Sequence, residues 1–141
     1  MTRILLVVLA LLMSLGFARA EPLSVTDKAA VQQVITGQLQ AFAVDDGGAA
    51  YGFAAPIVKF AFPTVDVFMA MVKQGYKPVY RNDGYDFGEH FVDGLGRPAQ
   101  RVRIRGLDGK TYEANYSMEK QSDGTWKIAG CVLVLIPGLD A

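Results

Sequence analysis

Residues 101–130 read RVRIRGLDGKTYEANYSMEKQSDGTWKIAG, three alternating segments parted by Leu107-Asp108-Gly109 and Ser122-Asp123-Gly124. Alternation of apolar and polar side chains marks half-buried strands, and short turns that end in glycine join such strands antiparallel. Taking each turn as a three-residue loop with glycine in the left-handed position sets a register. Ile104 then faces Tyr112 and Val102 faces Ala114, while Arg103 meets Glu113 on the other side. In the next hairpin Met118 falls opposite Ile128, Tyr116 opposite Gly130, and Glu119 opposite Lys127. Two-residue turns would set Ile104 beside Glu113 and break the alternation. Gly94-Leu95-Gly96 supplies one more turn, so the back half reads as a four-stranded antiparallel meander.

One face of this sheet carries Val102, Ile104, Tyr112, Tyr116, Met118, Trp126 and Ile128, and something must cover it. Arg101, Arg103 and Arg105 keep the opposite face polar at one end, but the same register sends Cys131, Leu133 and Leu135 there as well. Either a bulge near Gly130 flips the last strand, or a second copy of the chain buries those residues. The expectation is the second copy, with Cys131, Leu133 and Leu135 as the face of a homodimer.

The cover for the first face comes from the front half. Val31, Val34, Ile35, Leu39 and Phe42 recur at three-and-four spacing, with Gln32, Gln33, Gln38 and Gln40 on the other side. The spacing predicts a helix over 27–43, capped by Thr26, with Gly37 inside it needing a closely packed neighbour. Asp45-Asp46 breaks the chain before a shorter helix through Ala49 to Phe53 that Pro56 ends. A third helix starts after Pro63-Thr64, buries Val65, Phe68, Met69 and Val72, and stops at a left-handed Gly75. Helices first and strands afterwards make the fold class α+β, with N-terminal helices packed on a curved sheet of about four strands.

Met1 to Ala20 has the composition of a secretory signal. Arg3 gives a positive start, Ile4 to Leu15 is uncharged and apolar, and Ala18-Arg19-Ala20 offers small residues at a cleavage site. The expectation is a signal peptide at 1–20, an exported and periplasmic protein, and no stable membrane anchor after cleavage. Of 141 residues, 121 then remain as 21–141, enough for a single domain. Removing Arg3 and Arg19 leaves 12 of the 14 basic residues against 14 acidic ones, a net charge of −2 that argues against a nucleic-acid partner. The single cysteine, Cys131, rules out an internal disulfide.

The run Phe68-Met69-Ala70-Met71-Val72 through Gly75-Tyr76-Lys77-Pro78-Val79-Tyr80-Arg81, followed by Trp126-Lys127-Ile128-Ala129-Gly130-Cys131, resembles the bacterial family called domain of unknown function 4864. The order of elements resembles the wider nuclear-transport-factor-two-like, or cystatin-like, α+β cone superfamily. The resemblance implies a cone-shaped fold but supplies no catalytic residue. That superfamily contains isomerases, dehydratases, binding modules and assembly domains, so the fold leaves function open.

Residues able to do chemistry are few. In the segment Tyr85 to Phe91, alternation sets Tyr85, Phe87 and Phe91 inward with Glu89, and turns His90, the only histidine, outward with Asp86. An inward Glu89 among aromatic rings would have a raised pKa suited to proton transfer. Asp45 and Asp46 form a tandem carboxylate pair, with Asp46 able to cap the next helix. Tyr51, Tyr80, Tyr112, Tyr116 and Trp126, with Glu89, are the expected lining of a pocket. Tyr76 is another hydroxyl able to reach it. No metal-ligand set or nucleophile elbow is present, and Gly94-Leu95-Gly96-Arg97-Pro98-Ala99 leads into a proline, where a dinucleotide site needs a helix. These residues point to a non-catalytic envelope module that binds a small apolar or aromatic ligand or supports assembly, without metal or cofactor. The alternative is an isomerase or hydratase with Glu89, Asp45 or Asp46 as its base.

Overall fold

The computed structural model describes residues 23–140, so the expected signal at 1–20 lies outside the described residues. Five helices precede four strands: α1 Val25–Ala43, α2 Gly47–Gly52, α3 Pro56–Ala61, α4 Val65–Gly75, α5 Lys77–Tyr80, then β1 Asn82–Val92, β2 Pro98–Gly106, β3 Lys110–Lys120 and β4 Trp126–Asp140. The strands form one antiparallel sheet in the order β1-β2-β3-β4. This is the α+β architecture that the alternating segments predict.

The hairpin register between β2 and β3 is the expected one, with Ile104 opposite Tyr112, Val102 opposite Ala114 and Arg103 opposite Glu113. Gly96, Gly109 and Gly124 all take positive φ, the conformation that three-residue loops require of their last residue. Met118 opposite Ile128 and Glu119 opposite Lys127 also hold, but the ladder then slips, and Gly130 pairs with Ser117 and Cys131 with Tyr116. Ala129 is thereby an extra residue without a partner, a β-bulge. It corrects the dimer-face assignment: Cys131, Leu133 and Leu135 share the face of Tyr116, Ala114 and Tyr112, where Cys131 and Leu133 pack against the core and Leu135 is left 45% exposed. Val132 and Val134 point outward instead, 63% and 43% exposed.

A second slip, between Phe87 and His90, corrects the reading of β1. Tyr85 and Phe87 face inward opposite Ile104 and Val102, but beyond the irregularity it is His90, opposite Gln100, that takes the inner side. Phe91 turns out, with the Arg101 guanidinium 4.7 Å from its ring centre, within the reach of a cation–π contact.

The helices bury the inner face through Val31, Ile35, Leu39 and Phe42 of α1 and Phe68, Met69 and Val72 of α4, which join Val102, Ile104, Tyr116 and Met118 in one core. Gln38 belongs to that buried side, not to the polar one expected for it. Ser24, in extended backbone, caps α1 by accepting from Asp27 N–H at 3.0 Å; Thr26 is already inside the first turn. Asp46 caps α2 and Thr64 caps α4. Pro56 opens α3 where it was expected only to close α2, because the missing N–H costs nothing in a first turn. Gly75 is the last helical residue of α4, and the chain leaves through Tyr76 at φ −134° without a left-handed residue. The α2–α3 link is sewn to the edge of β4 by Ile128 N–H to the Phe53 carbonyl at 2.9 Å and Ala55 N–H to the Ile128 carbonyl at 2.8 Å.

Candidate functional site

The slip in β4 shapes an apolar concavity. A cavity of about 370 Å³ lies between α1, α3 and α4 and the inner face of the sheet. The bulge forms its floor: Ile128, Ala129, Gly130 and Cys131 all line it, beside Tyr116 from β3. α1 contributes Gln38 and Phe42, α4 contributes Phe68, Met71 and Val72, and α3 closes the outer side with Ile57, Val58 and Ala61. No residue of α3 is buried, and Ile57 is 57% exposed, so the short helix rims the opening. The volume lies within the range of small-molecule sites, and the lining is predominantly apolar as in such sites.

Each polar group at the wall has a definable state. Gln38 donates one amide hydrogen to the Ala50 carbonyl at 3.2 Å. Tyr76 donates its hydroxyl hydrogen to the Cys131 carbonyl at 2.8 Å. The Tyr116 hydroxyl is enclosed without a hydrogen-bond partner, and its neighbour across the ladder is the Cys131 thiol, a weak acceptor. Burial, and then the proximity of Cys131, keeps that phenol protonated far above its ordinary range. Burial likewise pushes the Cys131 thiol up to about 12, with the Tyr116 hydroxyl opposing only in part. The wall is therefore uncharged near neutral pH, and its sulfur is no nucleophile there.

Of the six side chains expected to line a pocket, the structure brings Tyr116 to the cavity. The others are engaged elsewhere. Tyr51 donates to the Phe62 carbonyl at 2.6 Å and packs its ring on Phe68, bracing α3 from behind. Tyr80 donates to Asp45, and Arg81 lies 4.0 Å over its ring. Tyr112 bonds Asp108 in its own turn, and Trp126 donates to Asp27 at 3.1 Å, tying β4 to the start of α1. The inward reading of Glu89 is corrected by the slip in β1: its carboxylate is 71% exposed and sits 3.2 Å from Arg101 on the outer face. Asp45 pairs with Arg81 at 2.8 Å, and Asp46 accepts from Ala49 N–H at 3.1 Å. His90 lies against Gln100 near α1, away from the cavity. No carboxylate lines the cavity, and among the described residues no group of His, Cys, Asp and Glu is placed to hold a metal ion.

Gln38 and the Ala129-Gly130 pair are the site residues that alternation and side-chain type did not single out. Helical spacing does carry a signal for Gln38, which stands three residues after Ile35 and four before Phe42, both buried. Among the described residues no helix is long and apolar enough to cross a membrane.

Among known families, the model of one, described as a domain of unknown function (DUF4864), matches residues 24–141. No curated protein and no solved structure matches the chain.

Proposed function

The chain belongs to that family, whose description names no activity, and from this premise we propose a non-catalytic module that holds a small apolar or aromatic molecule in the cavity above the β4 bulge. The observation that carries the reading is a cavity of about 370 Å³ that opens beside α3 onto the core and is lined by uncharged side chains. Export of the domain into the bacterial envelope belongs to the same proposal. Its support is the sequence of residues 1–20, with Arg3, the apolar run and Ala18-Arg19-Ala20. The isomerase or hydratase alternative has its carboxylates outside the cavity: Glu89 faces solvent and Asp45 is paired with Arg81.

Native mass spectrometry of the exported chain, purified without denaturation, tests the binding reading. We expect an added small-molecule mass that disappears in Ala61→Trp, which plugs the rim from an exposed position. A bare mass for the wild type, unchanged by incubation with apolar compounds, would count against it. Cell fractionation with the N-terminus of the product sequenced tests export, and a full-length cytoplasmic protein would contradict it.

One observation favours an assembly role as a second reading. β4 is an edge strand without a charged residue between Lys127 and Asp140, and it exposes Val132 and Val134 on its outer side. Analytical ultracentrifugation separates the cases: a concentration-independent monomer removes the assembly reading.

A further inference from the structure

Resting on the binding reading above, we infer that the cavity selects an uncharged, mostly apolar molecule with one hydrogen-bonding group at its inner end, and discriminates against the matching carboxylate. None of the side chains that line the cavity is acidic or basic. An ionised group seated there would surrender its water without gaining a counter-charge. The wall's own titratable groups stay neutral as well, because desolvation raises both the half-buried Cys131 thiol and the buried Tyr116 phenol.

The polar capacity left to a ligand is small and lies on the inner wall. Tyr76 is committed to the Cys131 carbonyl, and Gln38 has given one of its amide hydrogens to Ala50. Its amide has a second hydrogen and a carbonyl oxygen, for which no partner is found among the described residues. The bulge places Ala129, which has no residue opposite it in the register, in the floor. The Gln38 side-chain amide is a neutral group that matches a hydroxyl or carbonyl. Everything on the outer side is apolar, from Val58 and Ala61 to the half-exposed Ile57 at the rim.

The arrangement also disfavours a fatty acid lying head-out. Lys59 lies 5.1 Å from the Tyr51 ring centre and Lys73 5.6 Å from that of Tyr80, and neither lines the cavity. An anionic head at the rim would meet the apolar Ile57, which is 57% exposed.

Isothermal titration calorimetry at pH 7.5 with two matched pairs, decan-1-ol against decanoate and 2-naphthol against 2-naphthoate, tests the inference. The neutral member of at least one pair is expected to bind at least tenfold more tightly than its carboxylate, and Ala61→Trp to abolish that binding. Carboxylates that bind as tightly as their neutral partners would overturn the selectivity while leaving the binding-module reading in place. Absence of binding by all four compounds would overturn the inference as well; a bare native mass for the exported protein would then remove the binding reading with it.

Discussion

Cys131 is the only cysteine in the chain, so its rate of alkylation reports on the bulge in β4 without ambiguity. The slip at Ala129 turns the thiol inward, where burial pushes it up to about 12. A free thiol with a pKa of about 8.5 is about one-quarter thiolate at pH 8, whereas one held near 12 is about one part in ten thousand, roughly a 2,000-fold deficit. Greater intrinsic nucleophilicity of the more basic thiolate returns about 40-fold of this. The remaining deficit is about 50-fold. Iodoacetamide labelling followed by mass spectrometry is the assay, with the guanidinium-unfolded chain as reference. The folded protein is expected to react at least about 50-fold more slowly, with a rate that keeps rising with pH beyond 9. A control sets the direction: in Cys131→Ser combined with Val132→Cys, the thiol sits at an exposed outer position and should react near the unfolded rate. Fast labelling of Cys131, a plateau between pH 8 and 9, or protection of position 132 in its place would refute the bulge and the cavity floor built on it.

Three further outcomes follow from the packing and the charges. A methyl group added at Gly37 would stand 2.6 Å from the tip of the Phe53 ring, so Gly37→Ala should lower Tm in a thermal melt, although alanine is worth up to about 1 kcal/mol more than glycine in a helix. Asp93 ties the β1–β2 turn together by accepting from Ser117 at 2.7 Å and from Leu95 and Arg97 N–H at 2.9 Å; Asp93→Ala should cost about 2 kcal/mol in urea denaturation. Burial alone would raise its pKa, but the bonds from Ser117 and Arg97 outweigh it and hold the carboxyl well below the usual range. Its contribution is therefore complete above pH 4 to 5 and fades as acid takes the pH below the unfolded value toward the folded one, a slope that Asp93→Ala should lack. His90 behaves in a different window: burial, then the charge of Lys28, lowers its pKa, and both ring nitrogens are enclosed without partners. The unfolded chain thus binds the proton more readily, so stability should fall as pH drops from 7 to 5, and His90→Gln should flatten that fall. An unchanged slope in the variant would mean that the imidazole is hydrated in solution.

Much of the fold was legible because its signals are local. Leu107-Asp108-Gly109 and Ser122-Asp123-Gly124 demand left-handed glycines, and with alternating neighbours they leave one sensible register for β2 and β3. Asp46 reads as a cap and acts as one, and α4 starts after Thr64 as expected. A bulge near Gly130 was only one of two readings of the last strand and not the favoured one, and the slip in β1 gave no signal. Alternation assigns faces only relative to a starting residue, so one extra residue at Ala129 reverses every face downstream while leaving the pattern of Val132, Leu133 and Val134 looking regular. The same loss of phase in β1 exchanged the sides of His90 and Glu89. Helix ends failed for a different reason: Pro56 is compatible with both a stop and a start, and only the attachment of Ala55 to Ile128 decides between them. The tyrosines were plausible pocket residues by type, but Tyr51, Tyr80 and Tyr112 each found an acceptor that the sequence did not disclose.

A crystal structure of the exported protein, purified without denaturation or organic solvent, tests the central claim most directly. The account predicts electron density for an uncharged molecule above Ala129 and Gly130, with a polar atom within reach of the Gln38 amide. A cavity collapsed by inward movement of Met71 and the α3 side chains, with Gln38 bonded only to protein, would contradict it.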